Sequence, residues 1–204
     1  MLLISVLLSA PACESRSSGI EPVYDPLTGK LQLMKSDTNG NGKVDTVSHM
    51  DGTRVLRIDI DNDEDGRVDR WEYYDADQRL EKIGTSRAND GKEDAWLYAA
   101  ADGATERIAV STRRDGKIDR TEFYEHDALV RAEEDGDGDG KVDKWETYES
   151  GRLASVAFDT VHRGTPDRRF VYGVDGTTRF ETDPAGTGHF VAAETPPPSA
   201  GARR

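Results

Sequence analysis

Hydrophobic and polar positions alternate along much of this chain instead of recurring every three or four residues. In V-L-R-I-D-I-D from Val55, residues Leu56, Ile58 and Ile60 fall on one side, a period of two that predicts a strand. Asp69, Trp71 and Tyr73 likewise share one face of an extended segment. Between such segments lie D-G-T, D-A-D-Q, D-G-A and E-S-G-R, all with turn chemistry. The pattern predicts β-hairpins joined into an antiparallel meander of roughly a dozen short strands, an all-β fold with little helix.

The hairpins repeat. The phrase N-G-N-G-K-V-D returns in phase about the anchors Gly42, Gly66, Gly91, Gly116, Gly140 and Gly164, spaced 24, 25, 25, 24 and 24 residues apart. Three residues after each anchor stands an aspartate: Asp45, Asp69, Asp94, Asp119, Asp143 and Asp167. Trp71, Trp96 and Trp145 follow at a fixed offset in some units, and Tyr74, Tyr124, Tyr148 and Tyr172 at another. A half-unit from Tyr24 to Met34 precedes the array, and a decayed seventh unit begins near Asp183. The repeat domain is expected over residues 23–182.

Two of the acidic loops have oxygens at the positions a calcium ion requires. Asp61 to Glu72 reads D-N-D-E-D-G-R-V-D-R-W-E, and Asp135 to Glu146 reads D-G-D-G-D-G-K-V-D-K-W-E. Calcium takes six to eight hard oxygen ligands, and alternate residues of a tightly curled loop can all point inward. The expected ligands are Asp61, Asp63, Asp65, Asp69 and Glu72 in one loop, and Asp135, Asp137, Asp139, Asp143 and Glu146 in the other. Arg67 and Lys141, at position seven, contribute main-chain carbonyls and need no acidic side chain. Glycine at position six allows the sharp turn. A third loop, Asp37 to Ser48, keeps Asp37, Asn39, Asn41, Lys43 at position seven, and Asp45, but ends in serine, so weaker binding is expected. The loop around Gly91 presents Ser86, Ala88 and Leu97 at positions one, three and twelve, that around Gly116 opens with Ser111 and Arg113, and that around Gly164 has Val161 and Arg163 where carboxylates are needed; all three read as turns without an ion. The bland alternative is that all six are Asp-Gly turns with a solvated acidic edge.

Over twelve residues each, the D-x-D-x-D-G loops resemble those of the EF-hand, which implies calcium as the ligand. The resemblance stops at the loop, because a repeat of this length leaves no room for two flanking helices. Trp-x-x-Tyr followed by Gly-Arg-Leu resembles the hairpin repeats of MORN-like and YD-repeat bacterial surface proteins, over roughly Tyr24 to Phe180. That likeness implies a hairpin array more than any activity.

Charge changes the picture in one direction. Asp and Glu number 40 against 27 Lys and Arg, a formal net charge of -13, which argues against nucleic acid as a partner and favours bound cations. Only 35% of the 204 residues are hydrophobic, so any core must be thin. No catalytic constellation stands out, and no enzyme is expected: His49, His126, His162 and His189 fall at different phases of the repeat and form no evident ligand set or triad.

At the N-terminus, Leu2 to Leu8 form a short apolar block followed by Ala10-Pro11-Ala12 and the single cysteine, Cys13. The block is too short to span a bilayer but suits a signal peptide over residues 1–12. This resembles a bacterial lipoprotein signal, which implies lipidation of Cys13, a flexible tether over residues 13–22 and a membrane-anchored place in the cell envelope, on its periplasmic or cell-surface side. Residues 183–204, with Pro196-Pro197-Pro198, read as a decayed repeat and a disordered tail.

Two functional readings follow. In the first, an exported, lipid-anchored calcium-binding protein uses its ions to lock the loops of a structural or adhesive sheet. In the second, the aromatic face engages an envelope protein or polysaccharide and calcium is incidental.

Overall fold

The computed structural model describes residues 19–100 and 102–193. The expected signal peptide, Cys13 and the proline-rich end of the tail lie outside the described residues. Fifteen strands form one sheet in sequential order, each antiparallel to the next, and among the described residues there is no helix. They are β1 (Ile20–Tyr24), β2 (Leu31–Ser36), β3 (Thr46–Asp51), β4 (Arg54–Ile60), β5 (Arg70–Tyr74), β6 (Leu80–Thr85), β7 (Ala95–Ala99) and β8 (Thr105–Val110). After these come β9 (Arg120–Glu125), β10 (Ala128–Glu134), β11 (Lys144–Glu149), β12 (Arg152–Phe158), β13 (Arg168–Tyr172), β14 (Thr178–Thr182) and β15 (Val191–Ala192). The expected all-β meander is what the chain forms, with a strand already at Ile20 and a last one beyond Asp183.

Each strand touches only its sequence neighbours, so the sheet is a single open layer. Its core is correspondingly thin. Trp71, Ala95, Ala109, Val110, Ala132, Val156 and Phe180 are the buried apolar side chains among the described residues. On one face, direct cross-strand pairing sets Trp71 and Trp96 on either side of Gly84, and Ala109 beside Trp96. Small residues leave room for the indoles to lie over the sheet. Trp145 has Ala157 as its partner in the same way.

Further from the acidic loops, the same face alternates cations and aromatics across successive strands: Arg57, Tyr73, Lys82, Tyr98, Arg107, Phe123 and Arg131. Lys82 Nζ lies 4.3 Å from the Tyr73 ring centre, Arg107 Cζ 3.8 Å from Tyr98 and Arg131 Cζ 3.8 Å from Phe123. With no second layer above them, long cationic stems roof the rings. The opposite face carries Ile58, Ile83, Leu97 and Ile108 in one cross-strand row and ends in a cluster of Phe158, Phe170 and Phe180.

A register shift recurs near the turn of the first six hairpins. One consequence departs from strict alternation. His49 pairs with Arg57 and Met50 with Val55, so Leu56 is skipped in the bulge and left 43% exposed, while Ile58 and Ile60 stay in the ladder.

Candidate metal centre

All the acidic loops fall at one edge of the sheet, between β2 and β3, β4 and β5, and so on to β14 and β15, and the tight hairpin turns lie at the other. The main chain ties the loops into a column. The amide at position one of each loop donates to the position-nine carbonyl of the loop before it, as in Asp61 N to Asp45 O (2.9 Å) and Asp183 N to Asp167 O (2.8 Å). Asp183 to Gly188 is therefore a seventh loop, closed like the others that open on aspartate by Gly188 N donating to Asp183 Oδ2.

Two local devices shape every complete loop. First, the position-nine carboxylate accepts the position-two amide: Thr38 N to Asp45 at 2.9 Å, Asn62 N to Asp69 at 2.7 Å, Thr112 N to Asp119 at 2.8 Å and Gly136 N to Asp143 at 3.0 Å. Loops read as lacking an ion keep this bond, as Arg87 N to Asp94 and Thr160 N to Asp167 show. The aspartate that marks the repeat is thus first a turn-closing residue. Burial pushes the Asp45 and Asp119 carboxyls up, but hydrogen bonds from Thr46 and Thr38, and from Thr112, outweigh it and hold both below the usual carboxylate range. Second, the backbone is left-handed at positions four and six. Position six is glycine throughout, whereas position four is Gly40, Glu64, Asn89, Arg114, Gly138, His162 and Gly186 in turn. A residue other than glycine is uncommon in this conformation, yet Glu64, Asn89, Arg114 and His162 adopt it.

The curl brings carboxylates together where expected. One oxygen each from Asp61, Asp63 and Asp69 lie within 4.8 Å of one another, and so do oxygens of Asp135, Asp137 and Asp143. Asp61 Oδ1 is shielded from solvent and has no hydrogen-bond partner. A buried, unmatched carboxylate oxygen is costly unless a cation faces it, so the donor set fits a hard divalent ion. Asp65 and Asp139 each take the amide two residues on, from Arg67 and Lys141, at 2.8 Å. In the first loop, Asn39 and Asn41 direct their amides to Glu64 of the next loop, which also pairs with Lys43 at 3.2 Å.

Glu72 and Glu146 stand apart from these groups. Glu72, on β5, pairs with Arg70 at 2.8 Å and accepts the Tyr74 hydroxyl at 2.8 Å. Glu146, on β11, meets Arg120 at 2.9 Å, Lys144 at 2.8 Å and the Tyr148 hydroxyl at 2.8 Å. Burial pushes the Glu146 carboxyl up, yet bonds from Lys144, Arg120 and Tyr148 prevail and hold it at about 2. Both carboxylates therefore serve ion pairs on the sheet, Glu72 along its own strand and Glu146 across strands to Arg120.

His162 is the residue that sequence reasoning passed over. Its Nδ1 lies 3.1 Å from Asp137 Oδ2, and it forms a third potential ligand group with Asp137 and Asp139. Phase comparison of histidines alone could not find it; reading position four down the repeats would have.

No known family profile and no curated protein matches this chain. Among solved structures, one similar chain belongs to the crystal structure of accessory secretory protein 1,2 and 3 in Streptococcus pneumoniae, at 12% identity and a TM-score of 0.28. The match covers 70% of this chain and 19% of that one, and a likeness at this level carries no argument about function.

Proposed function

We propose that this chain is an exported, lipid-anchored calcium-binding repeat protein whose ions lock the loop edge of a structural or adhesive sheet. The observation that carries the reading is the convergence of Asp61, Asp63 and Asp69 around an Asp61 oxygen that is buried and unpartnered. Without a cation, such a loop crowds like charges; with one, repulsion becomes coordination. Asp135, Asp137 and Asp143 repeat the arrangement near the other end of the array. The test is calorimetric titration of the chain with calcium. Heat of binding that Asp61→Asn and Asp135→Asn each reduce supports the reading, and no heat at millimolar calcium, the range of extracellular modules, sinks it. Export and lipidation at Cys13 are tested separately by detergent partitioning of the wild-type chain and of Cys13→Ala.

The uncovered cation–aromatic row favours a second role beside the first. Among the described residues, Lys82 and Arg107 have no carboxylate within salt-bridge distance, although the protein is strongly acidic. An anionic envelope polysaccharide suits such a face. Quenching or shifting of tryptophan emission by acidic glycans at fixed calcium would support it; an unchanged spectrum would dismiss it.

A further inference from the structure

In an EF-hand loop the last carboxylate of the twelve grips the ion, but here Glu72 and Glu146 are committed to ion pairs on the sheet. We infer that each cation is shared between consecutive loops, its shell completed by the position-four side chain of the following loop. This rests on the cation-binding reading above and assigns ligands that reading does not include.

Three junctions carry the inference. Asn89 lays its amide against Asp63 Oδ2 at 2.8 Å, and its own Oδ1 is shielded from solvent without a hydrogen-bond partner. The orphan oxygens of Asp61 and Asn89 thus belong to the same junction. A half-turn of the Asn89 amide exchanges its nitrogen for its oxygen, presenting a neutral hard ligand to an ion held by Asp61 and Asp63. His162 stands in the same relation to the fifth loop, grouped with Asp137 and Asp139. Glu64 stands so to the first, touching Asn39 and Asn41 and supplying the carboxylate that Ser48 lacks.

The other junctions show what replaces the ion. Arg113 extends from the fourth loop to donate to Asp135 O at 3.1 Å and Gly136 O at 3.3 Å, and a Cβ on Gly138 would lie 2.9 Å from its Nη1. Arg163 extends from the sixth to Asp183 O at 3.0 Å and Pro184 O at 2.8 Å, and a Cβ on Gly186 would lie 2.8 Å from its Nε. At the third junction Arg114 occupies position four itself, with Nε 3.8 Å from the orphan Asp94 Oδ2. So loops that keep the early oxygens are followed by a residue able to ligate a metal. Loops that lost them have a guanidinium reaching across the junction with no metal-ligating side chain beside it; at the second junction Arg67 Nη1 also crosses, to Asn89 O at 3.1 Å, but there the Asn89 amide stands against Asp63 as well. The imidazole also separates the sites: the second junction is all oxygen and suits calcium, whereas the fifth admits zinc.

Glycine is the test substitution, because Gly138 and Gly186 already occupy position four with left-handed backbone. Asn89→Gly and His162→Gly in the full chain are titrated with calcium chloride and with zinc chloride, beside Asp61→Asn and Asp135→Asn. Asn89→Gly is expected to weaken one calcium site about 10-fold and spare the other, and His162→Gly to weaken the second about 10-fold and abolish zinc binding. Wild-type affinities in both glycine variants, with loss in the aspartate variants, would overturn the inference and leave calcium binding standing. No binding by the wild-type chain would remove both. An equal fall in melting temperature in chelator and in calcium would mark Asn89 and His162 as structural ties only, and would also overturn it.

Discussion

Arg120 and Glu146 lie 26 residues apart in the chain and 2.9 Å apart in space, one on β9 and the other on β11, reaching past the intervening strand β10. Glu134 of that strand meets the same guanidinium at 3.1 Å, and Lys144 closes the cluster on Glu134 and Glu146 at 3.0 and 2.8 Å. In a sheet with no covering layer, such networks and the roofed aromatics on the other face do part of the work that a second layer does elsewhere.

This cluster fixes an acid limit. The Glu146 carboxyl titrates at about 2 in the fold against an ordinary 4.5, so its contribution is fully present above the unfolded value and is lost as pH falls through about 2. The whole shift corresponds to about 3 kcal/mol. Glu146→Gln should flatten the acid limb of stability against pH and cost about 1–3 kcal/mol at neutral pH, because it leaves Arg120 and Lys144 short of a partner. Denaturant melts from neutral to strongly acid pH read this directly.

Tyrosines set the alkaline limit. Burial first, then the neighbouring Glu93, Glu72 and Glu122 respectively, push Tyr73, Tyr74 and Tyr124 up to about 12. These groups stabilise the fold below the unfolded value of about 10 and lose that contribution as pH rises from there through about 12. Tyrosinate absorbance should lag in the native chain relative to the denatured one. Coincident titration curves would show that the three hydroxyls are solvated.

Gly84 permits a half-buried bridge. A Cβ there would lie 2.6 Å from Glu93 Oε2 and 2.7 Å from Cδ, and Glu93 accepts both the Tyr73 hydroxyl and the Trp96 indole N–H. Gly84→Ala should displace the carboxylate, alter Trp96 emission and cost about 1–2 kcal/mol. Glu93→Ala should do much the same, and the double variant should cost less than the sum. Additive costs would separate the glycine from the bridge.

Calcium should raise the melting temperature through linkage. At free calcium 100-fold above the dissociation constant, each occupied site adds about 2.7 kcal/mol. Asp61→Asn and Asp135→Asn should each remove one such increment, and Asp90→Asn should remove none, since its loop opens on Ser86 and is bridged by Arg114. A melting temperature indifferent to chelator would contradict the calcium reading.

Period-two alternation, turn residues and the returning N-G-N-G-K-V-D phrase were enough by themselves to determine hairpins, a sequential meander and acidic loops in phase. Those features depend on neighbours close in the chain, where side-chain periodicity and backbone freedom act directly. The convergence of Asp61, Asp63 and Asp69 was legible for the same reason, being local to one loop. Tertiary structure alone decided what lies one repeat away. It drew Glu146 to Arg120 two strands away, set His162 against Asp137, and aimed Asn89 and Glu64 at the preceding loops. Each of these outcomes turns on cross-strand register or on a left-handed φ at position four. Register is fixed only when strands pair, and which loop a position-four side chain meets is fixed only when the loops stack, so neither can be read from a residue type at its own position.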